Sequence, residues 1–318
     1  MLIFFVILLN WVIFEAMPGL NGNLYSVLGQ GGHLGTAQYN AQVRIYGLNQ
    51  PYWVGFVDYI KAMLTFSFGY STYSNRLVVD DMIATGKLVN TVELLGVSTL
   101  VSIIVGVALG IYASHKRGSS IDNFAVSGSL TTYALPTFFI GIVLIFIFAD
   151  SLNFASGGVE PTDWTKVGAI LPSLPLQILI RLQYLFLPAL TLTLFGYGGY
   201  VLLTRATMTE ALSEDYIVTA RAKGLTQRAI LLRHAFKNAS LPIITSSALA
   251  FGSILSGAII TETIFNWDGL GLWLYNSVLY KDYPVMQAMF YIIGLCVIAA
   301  NFLSDILYGV VDPRIKYE

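Results

Sequence analysis

Residues 214–242 read EDYIVTARAKGLTQRAILLRHAFKNASLP, a charged stretch set between two long apolar runs. From Arg205 to Lys237 the chain carries Glu210, Glu214, Asp215, Arg221, Lys223, Arg228 and Arg233, whereas 182–204 and 238–261 hold no Asp, Glu, Lys or Arg. A polar group stranded in hydrocarbon costs several kcal/mol. The charged stretch therefore stands in water while its flanks cross a bilayer, and its task there is to meet another protein.

The rest of the chain agrees. It is 318 residues long, 56% hydrophobic and 11% charged, with mean hydropathy +0.69. An ordinary soluble domain carries about 25% charged residues. A net charge of −1 argues against a nucleic-acid partner and against a polybasic surface anchor. The single cysteine, Cys296, excludes an internal disulfide framework, and its apolar setting suits a small core residue.

A hydrocarbon core about 30 Å thick needs roughly 20 helical residues. Charge-free intervals then predict an all-α polytopic membrane protein with six transmembrane helices. The first is Met1–Phe14, short for a full crossing; the others are about 88–114, 123–149, 182–204, 241–261 and 284–309. The first span and a long extracytoplasmic segment occupy 1–87. Residues 88–318 form a core of five spans with a loop, 205–240, between spans four and five. Residues 1–17 lack a basic leader, and Glu15-Ala16-Met17-Pro18 is a poor cleavage site, so an uncleaved span is preferred to a signal peptide.

Basic residues orient the chain. With the amino terminus inside, the cytosolic segments hold Lys116, Arg117, Arg205, Arg221, Lys223, Arg228, Arg233, Lys237, Arg314 and Lys316. The short outer loops hold Lys166, Arg181 and Lys281. Both termini and the 205–240 loop are therefore expected in the cytosol. The outer segment 18–87 opens with Gly, Asn and Gln and reads as irregular, while Tyr52–Tyr73 has apolar spacing that predicts a helix on the outer face. Trp53, Trp164, Trp267 and Trp273 fit interfacial anchoring, with stacking on a sugar as the alternative.

Within the loop, a helix running to Lys223 is predicted to stop at Gly224, and a second helix to resume over Gln227–Asn238. On a 100° projection Ala229, Leu231, Leu232, Ala235 and Phe236 gather on one side, with Arg228 and Ile230 out of place. A plain solvated loop would serve topology alone. Two short helices with an apolar stripe and a glycine break better suit a groove on a partner.

Thr219-Ala220-Arg221-Ala222-Lys223-Gly224, followed by Leu241-Pro242, resembles the cytosolic signature of the permease subunits of binding-protein-dependent ATP-binding-cassette importers. The likeness is to the dipeptide and oligopeptide branch, whose relatives carry nickel or oligosaccharides. A general importer signature begins Glu-Ala-Ala where this chain has Val218-Thr219-Ala220. ETIFNWDGLGLWL (Glu262–Leu274), KDYPVMQA (Lys281–Ala288) and NFLSDILYGVVDPRIKY (Asn301–Tyr317) extend the resemblance, although Asn266-Trp267-Asp268 stands where Ser-Pro is usual. The likeness thins over 1–87, where Glu15 occupies a position usually held by arginine.

The resemblance implies a multi-pass cell-membrane transport subunit without enzymatic activity of its own. It implies a second homologous permease subunit, two ATPase subunits and an extracytoplasmic solute-binding protein as partners. It implies that Glu214, Asp215, Tyr216, Thr219, Ala220, Arg221, Ala222, Lys223 and Gly224 meet the ATPase, with Ala220 and Ala222 permitting close approach. No cofactor is expected on this chain; ATP and magnesium belong to the partners. Consistently, the only Gly-Lys pair, Gly86-Lys87, lacks the rest of a phosphate-binding loop.

The competing class is an ion-coupled secondary transporter or channel, for which intramembrane ionisable residues are the usual sign. Glu93 and Asp305 are the candidates, and both fall near span ends. A membrane-embedded hydrolase finds no Ser/His/Asp or metal constellation, since His33, His115 and His234 lie in separate segments. Pro136, Pro188, Gly106, Gly110, Gly196, Gly198 and Gly199 fit close helix packing, with hinging as the alternative.

Overall fold

The computed structural model describes residues 1–16, 36–45, 50–150, 154–164, 171–253 and 258–311. Its helices are α1 Leu2–Trp11, α2 Thr36–Ile45, α3 Tyr52–Leu64, α4 Val78–Ala84, α5 Lys87–His115, α6 Ser120–Ala134 and α7 Thr137–Leu144. They continue with α8 Leu174–Leu212, α9 Asp215–Ala222, α10 Gln227–Ala229, α11 Phe236–Ser253, α12 Ile259–Ile264, α13 Leu270–Leu279 and α14 Tyr283–Val311. Wider π-turns extend α1 over Val12–Ala16 and α7 over Ile145–Asp150, and join α10 to α11 over Ile230–Ala235. Among the described residues the only strand-type pairing is an isolated bridge between Tyr70 and Leu77. The chain is all-α, as the apolar periods require.

Helices α5 and α8 are each long and apolar enough to cross a membrane. The interval 123–149, expected as a single crossing, is two helices meeting at 102°. The cause is local: Leu135, just before Pro136, takes ψ 135°, because the proline ring excludes the helical conformation from its predecessor. Pro188 and Pro242 sit inside α8 and α11 without ending them. The described parts of the fifth expected span are α11, which ends at Ser253, and the first residues of α12 from Ile259. Residues 254–257, which the sequence reading included in that span, lie outside the described residues.

The chain forms two compact units. The first comprises Met1–Thr91, Leu255–Ile259 and Asp268–Ala299. Its core joins α1, α3, α13 and the start of α14 through Ile7, Tyr59, Met63, Leu270, Val285 and Met289. The helix expected over Tyr52–Tyr73 is present as α3 but stops at Leu64; Thr65 caps it and Phe66 turns to φ 55°, so the predicted extension to Tyr73 is irregular chain.

The second unit comprises Val92–Ile254, Ile260–Trp267 and Ala300–Glu318. Its axis is α8, which packs against α6, α7 and α11. Gly106 and Gly110 lie one turn apart on α5, where α8 crosses. A Cβ on Gly110 would lie 2.6 Å from Thr204 Cβ and 2.9 Å from the Val201 carbonyl oxygen. Only glycine permits that approach, which is the small-residue packing used between helices in lipid.

Candidate functional site

The elbow after α8 is built from caps and turns. Ser213 closes α8, Glu214 takes an extended conformation as N-cap of α9, and Asp215 in the first turn with Arg221 in the last complements the helix dipole. Helix α9 ends in a Schellman turn: Gly224 N–H donates to the Arg221 carbonyl at 2.9 Å, and Leu225 N–H to that of Ala220 at 3.3 Å. Gly224 sits at φ +72°, the left-handed conformation that glycine adopts without a Cβ penalty. Thr226 then accepts the Ala229 N–H and starts the helical run that continues through α10, the π-turn and α11.

One face of the elbow is committed to the chain itself. Ile217 and Ala220 pack with Met208 and Ala211 of α8 and with Ile230, Leu231, Ala235 and Ala239. Two sequence expectations change here. Ile230, out of phase on the 100° projection, is 2% exposed, while Leu232, expected on the stripe, is 44% exposed. A π-turn holds more residues per turn than an α-helix, so it rephases the helix by about a residue. The apolar stripe is thus spent mainly on the elbow's own core. Ala220 is only 4% exposed, and its small size serves close approach within the chain.

The other face is open. Glu214, Asp215, Val218, Thr219, Arg221, Ala222, Lys223 and Gly224 are exposed, Val218 to 63%. Tyr216 is half-buried, and its hydroxyl is buried without a hydrogen-bond partner. It lines a cavity of about 290 Å³ together with Glu210, Glu214, Asn238 and Pro242. The residues singled out from sequence therefore divide: Ala220 points inward, Tyr216 lies between, and the rest form one charged surface around an exposed valine.

An ion pair fixes α8 ahead of the elbow. Arg205 grips the buried Asp122 through both nitrogens, Nε to Oδ1 at 2.5 Å and Nη2 to Oδ2 at 2.8 Å. The Gly118 N–H adds a third bond to Asp122 at 2.9 Å. A bidentate arginine–carboxylate pair fixes orientation as well as distance. The start of α6 is thereby tied to α8 one turn above Thr209. Sequence reading missed this pair, yet Ser119-Ser120-Ile121-Asp122 is a capping-box pattern, and Ser119 Oγ does accept the Asp122 N–H.

A comparison with known families matches residues 106–317 to the family described as binding-protein-dependent transport system inner membrane component. The chain belongs to this family. It is 33% identical to the oligopeptide transport system permease protein AppB of Bacillus subtilis over 313 residues, 98% of this chain and 94% of that one. It is 35% identical to the dipeptide transport system permease protein DppB of Escherichia coli K12, covering 86% of this chain and 83% of the relative. It is also 34% identical to the di/tripeptide permease protein DppB of Pseudomonas aeruginosa, with the same coverage. A multi-pass transport subunit of the plasma membrane follows. The family match contains the whole elbow, Asp122 and Arg205.

Elsewhere in this inner-membrane component, the structure redefines two residues raised from sequence. Glu93 is bound to Arg181, with Nε at 3.0 Å and Nη2 at 2.5 Å, and Arg181 also donates to the Val159 carbonyl. Such a fixed ion pair is a poor proton relay. Trp267, expected as an interfacial anchor, is fully buried against Leu94, Leu185 and Ala189, its ring 4.6 Å beneath the Arg181 guanidinium. Sequence spacing carried no hint of a partner 86 positions away. The side chain of Asp305 lies outside the described residues.

Proposed function

We propose that this chain is one transmembrane half of an ATP-driven importer of short peptides, and that the elbow is its coupling element. A second permease chain would complete the pathway, two ATPase chains would bind ATP and magnesium, and a solute-binding protein would deliver the peptide outside. The peptide class is supported by relatives whose names specify oligopeptides, dipeptides and di/tripeptides and which align over most of their length. In this reading the chain crosses the membrane six times, the third crossing being broken at Pro136, with both termini and the elbow cytosolic.

The observation that carries the proposal is the division of α9 into two faces. Its apolar side is fastened to α8, a helix of 39 residues, and its charged side is left free around Val218. At about 1.5 Å per residue α8 spans nearly 60 Å. A push on α9 is therefore delivered to a rigid rod that crosses the membrane. Bridging a closing ATPase to a moving bundle needs that combination, whereas a freely solvated loop would absorb the motion.

Uptake of radiolabelled tri-alanine in cells lacking other peptide importers tests this. Uptake is expected to require this chain, to cease on ATP depletion and to survive a protonophore while ATP is maintained. Uptake that survives ATP depletion and collapses with the protonophore would replace the proposal with ion coupling.

A further inference from the structure

The first unit contains a cleft of about 260 Å³, assembled from the turn at 71–74, helix α4, the start of α5 and helix α13. Its floor is Asp282, 3% exposed, which accepts hydrogen bonds from the Ser71 hydroxyl at 2.5 Å and the Thr72 N–H at 3.1 Å. These donors are neutral. A second carboxylate, Asp81, has a side chain only 10% exposed, and its ion-pair partner is Arg76, 3.9 Å away on a side chain that is 68% exposed. Lys87 also lines the cleft, but its ammonium is committed to Asp268 at 2.6 Å.

Negative charge in the cleft thus exceeds positive charge, and Asp81 is held loosely enough to take another cation. At the mouth Tyr73 and Tyr280 stack with ring centroids 4.4 Å apart and planes at 18°. Both are more than half exposed. Trp273 and Asn276 complete the wall. Carboxylates and aromatic rings lining one cleft are a combination that receives an organic cation. A bare metal ion suits it less, since the oxygens of Asp282 are already engaged by neutral donors. The Asn276 amide offers both a donor and an acceptor to a peptide group.

We propose that this cleft receives the free amino terminus of a short peptide, its α-ammonium on Asp81 and its first residue against Tyr73 and Tyr280. The proposal rests on the peptide-importer reading and its topology, which sets the cleft on the outer side. It adds a peptide contact on the permease chain itself.

The test is a binding isotherm of the assembled transporter in nanodiscs, without solute-binding protein, using tri-alanine and N-acetyl-tri-alanine. Acetylation removes the positive charge and two N–H donors while adding an acetyl group, so it is expected to weaken binding about tenfold or more, the usual scale for losing a charged hydrogen bond, and the Asp81 variants isolate the part due to charge. Asp81→Asn should weaken tri-alanine binding similarly and abolish the preference for the free amine, while Asp81→Glu keeps the preference. Tyr280→Ala, at an exposed position, should weaken binding of tri-alanine several-fold with an unchanged melting temperature; Asp80→Asn should change nothing. Equal binding of the two peptides, or full discrimination by Asp81→Asn, overturns the proposal. Uptake that depends on this chain alongside flat isotherms would refute the cleft alone. Failure of this chain to support any tri-alanine uptake would refute the importer reading beneath it.

Discussion

The elbow and the Asp81–Asp282 cleft invert each other's chemistry. At the elbow, Ile217, Ala220, Ile230 and Leu231 are turned inward while Glu214, Asp215, Arg221 and Lys223 face out. In the cleft, Asp81 and Asp282 are turned inward while Tyr73 and Tyr280 face out. A surface with its charges outside and its hydrophobes fastened to a long helix is suited to bearing load: the charges set register and the core transmits force. A hollow with its charges inside and rings at the rim is suited to selecting a small ligand, because a buried carboxylate distinguishes cations strongly. In the proposed reading one chain would carry a mechanical contact and a chemical one, and each could be perturbed without the other.

The sharpest way to break the contrast is at the Asp122–Arg205 ion pair. Asp122→Ala leaves Arg205 without its bidentate partner in a partly buried setting, and should destabilise the second unit by about 2–3 kcal/mol. The double variant Asp122→Ala/Arg205→Ala should cost less than the two single changes summed, since neither charge is then stranded. Thermal unfolding of the purified complex, with tri-alanine affinity at the cleft as the unaffected control, measures both.

Ala220→Leu comes next. Its extra methylenes enter a packed core against Met208 and Ile230, at about 1–3 kcal/mol. The same melting experiment should register it. Gly224→Ala should cost about 1–2 kcal/mol from the left-handed backbone, and no more, because a Cβ at Gly224 meets nothing within 4 Å. Its effect on peptide-stimulated ATP hydrolysis should therefore exceed its effect on melting. Val218→Ser is the smallest in stability, within about 0.5 kcal/mol as for exposed positions. Yet it should reduce co-purification of the ATPase chains.

The elbow was legible in the sequence because its signals are local. Acids at the start, small residues within and Gly224 at the end of α9 are each explained by the turn they occupy. What failed was phase: a fixed 100° period has no term for the π-turn at Ile230–Ala235, so Ile230 and Leu232 exchanged faces. Prolines were only half readable. Pro136 forces a 102° break, yet α8 runs through the buried Pro188, and the difference lies in neighbouring packing that no local window contains.

The cleft was not legible at all. Asp282 meets Ser71 across 211 positions, and Lys87 meets Asp268 across 181, so no motif of ordinary length includes both partners. The buried state of Trp267 was hidden for the same reason. In a helical membrane chain the hydropathy that reveals helices is nearly uniform around them, so it says little about which faces meet.

In the proposed importer the outward face of α9 touches a separate ATPase. A single thiol at Val218→Cys, in a Cys296→Ser background and with a short bifunctional maleimide in inside-out vesicles, addresses it directly. An adduct between this chain and the ATPase chain, its yield changing with bound nucleotide, is expected. Labelling of the same thiol by a membrane-impermeant maleimide added to intact cells would contradict it.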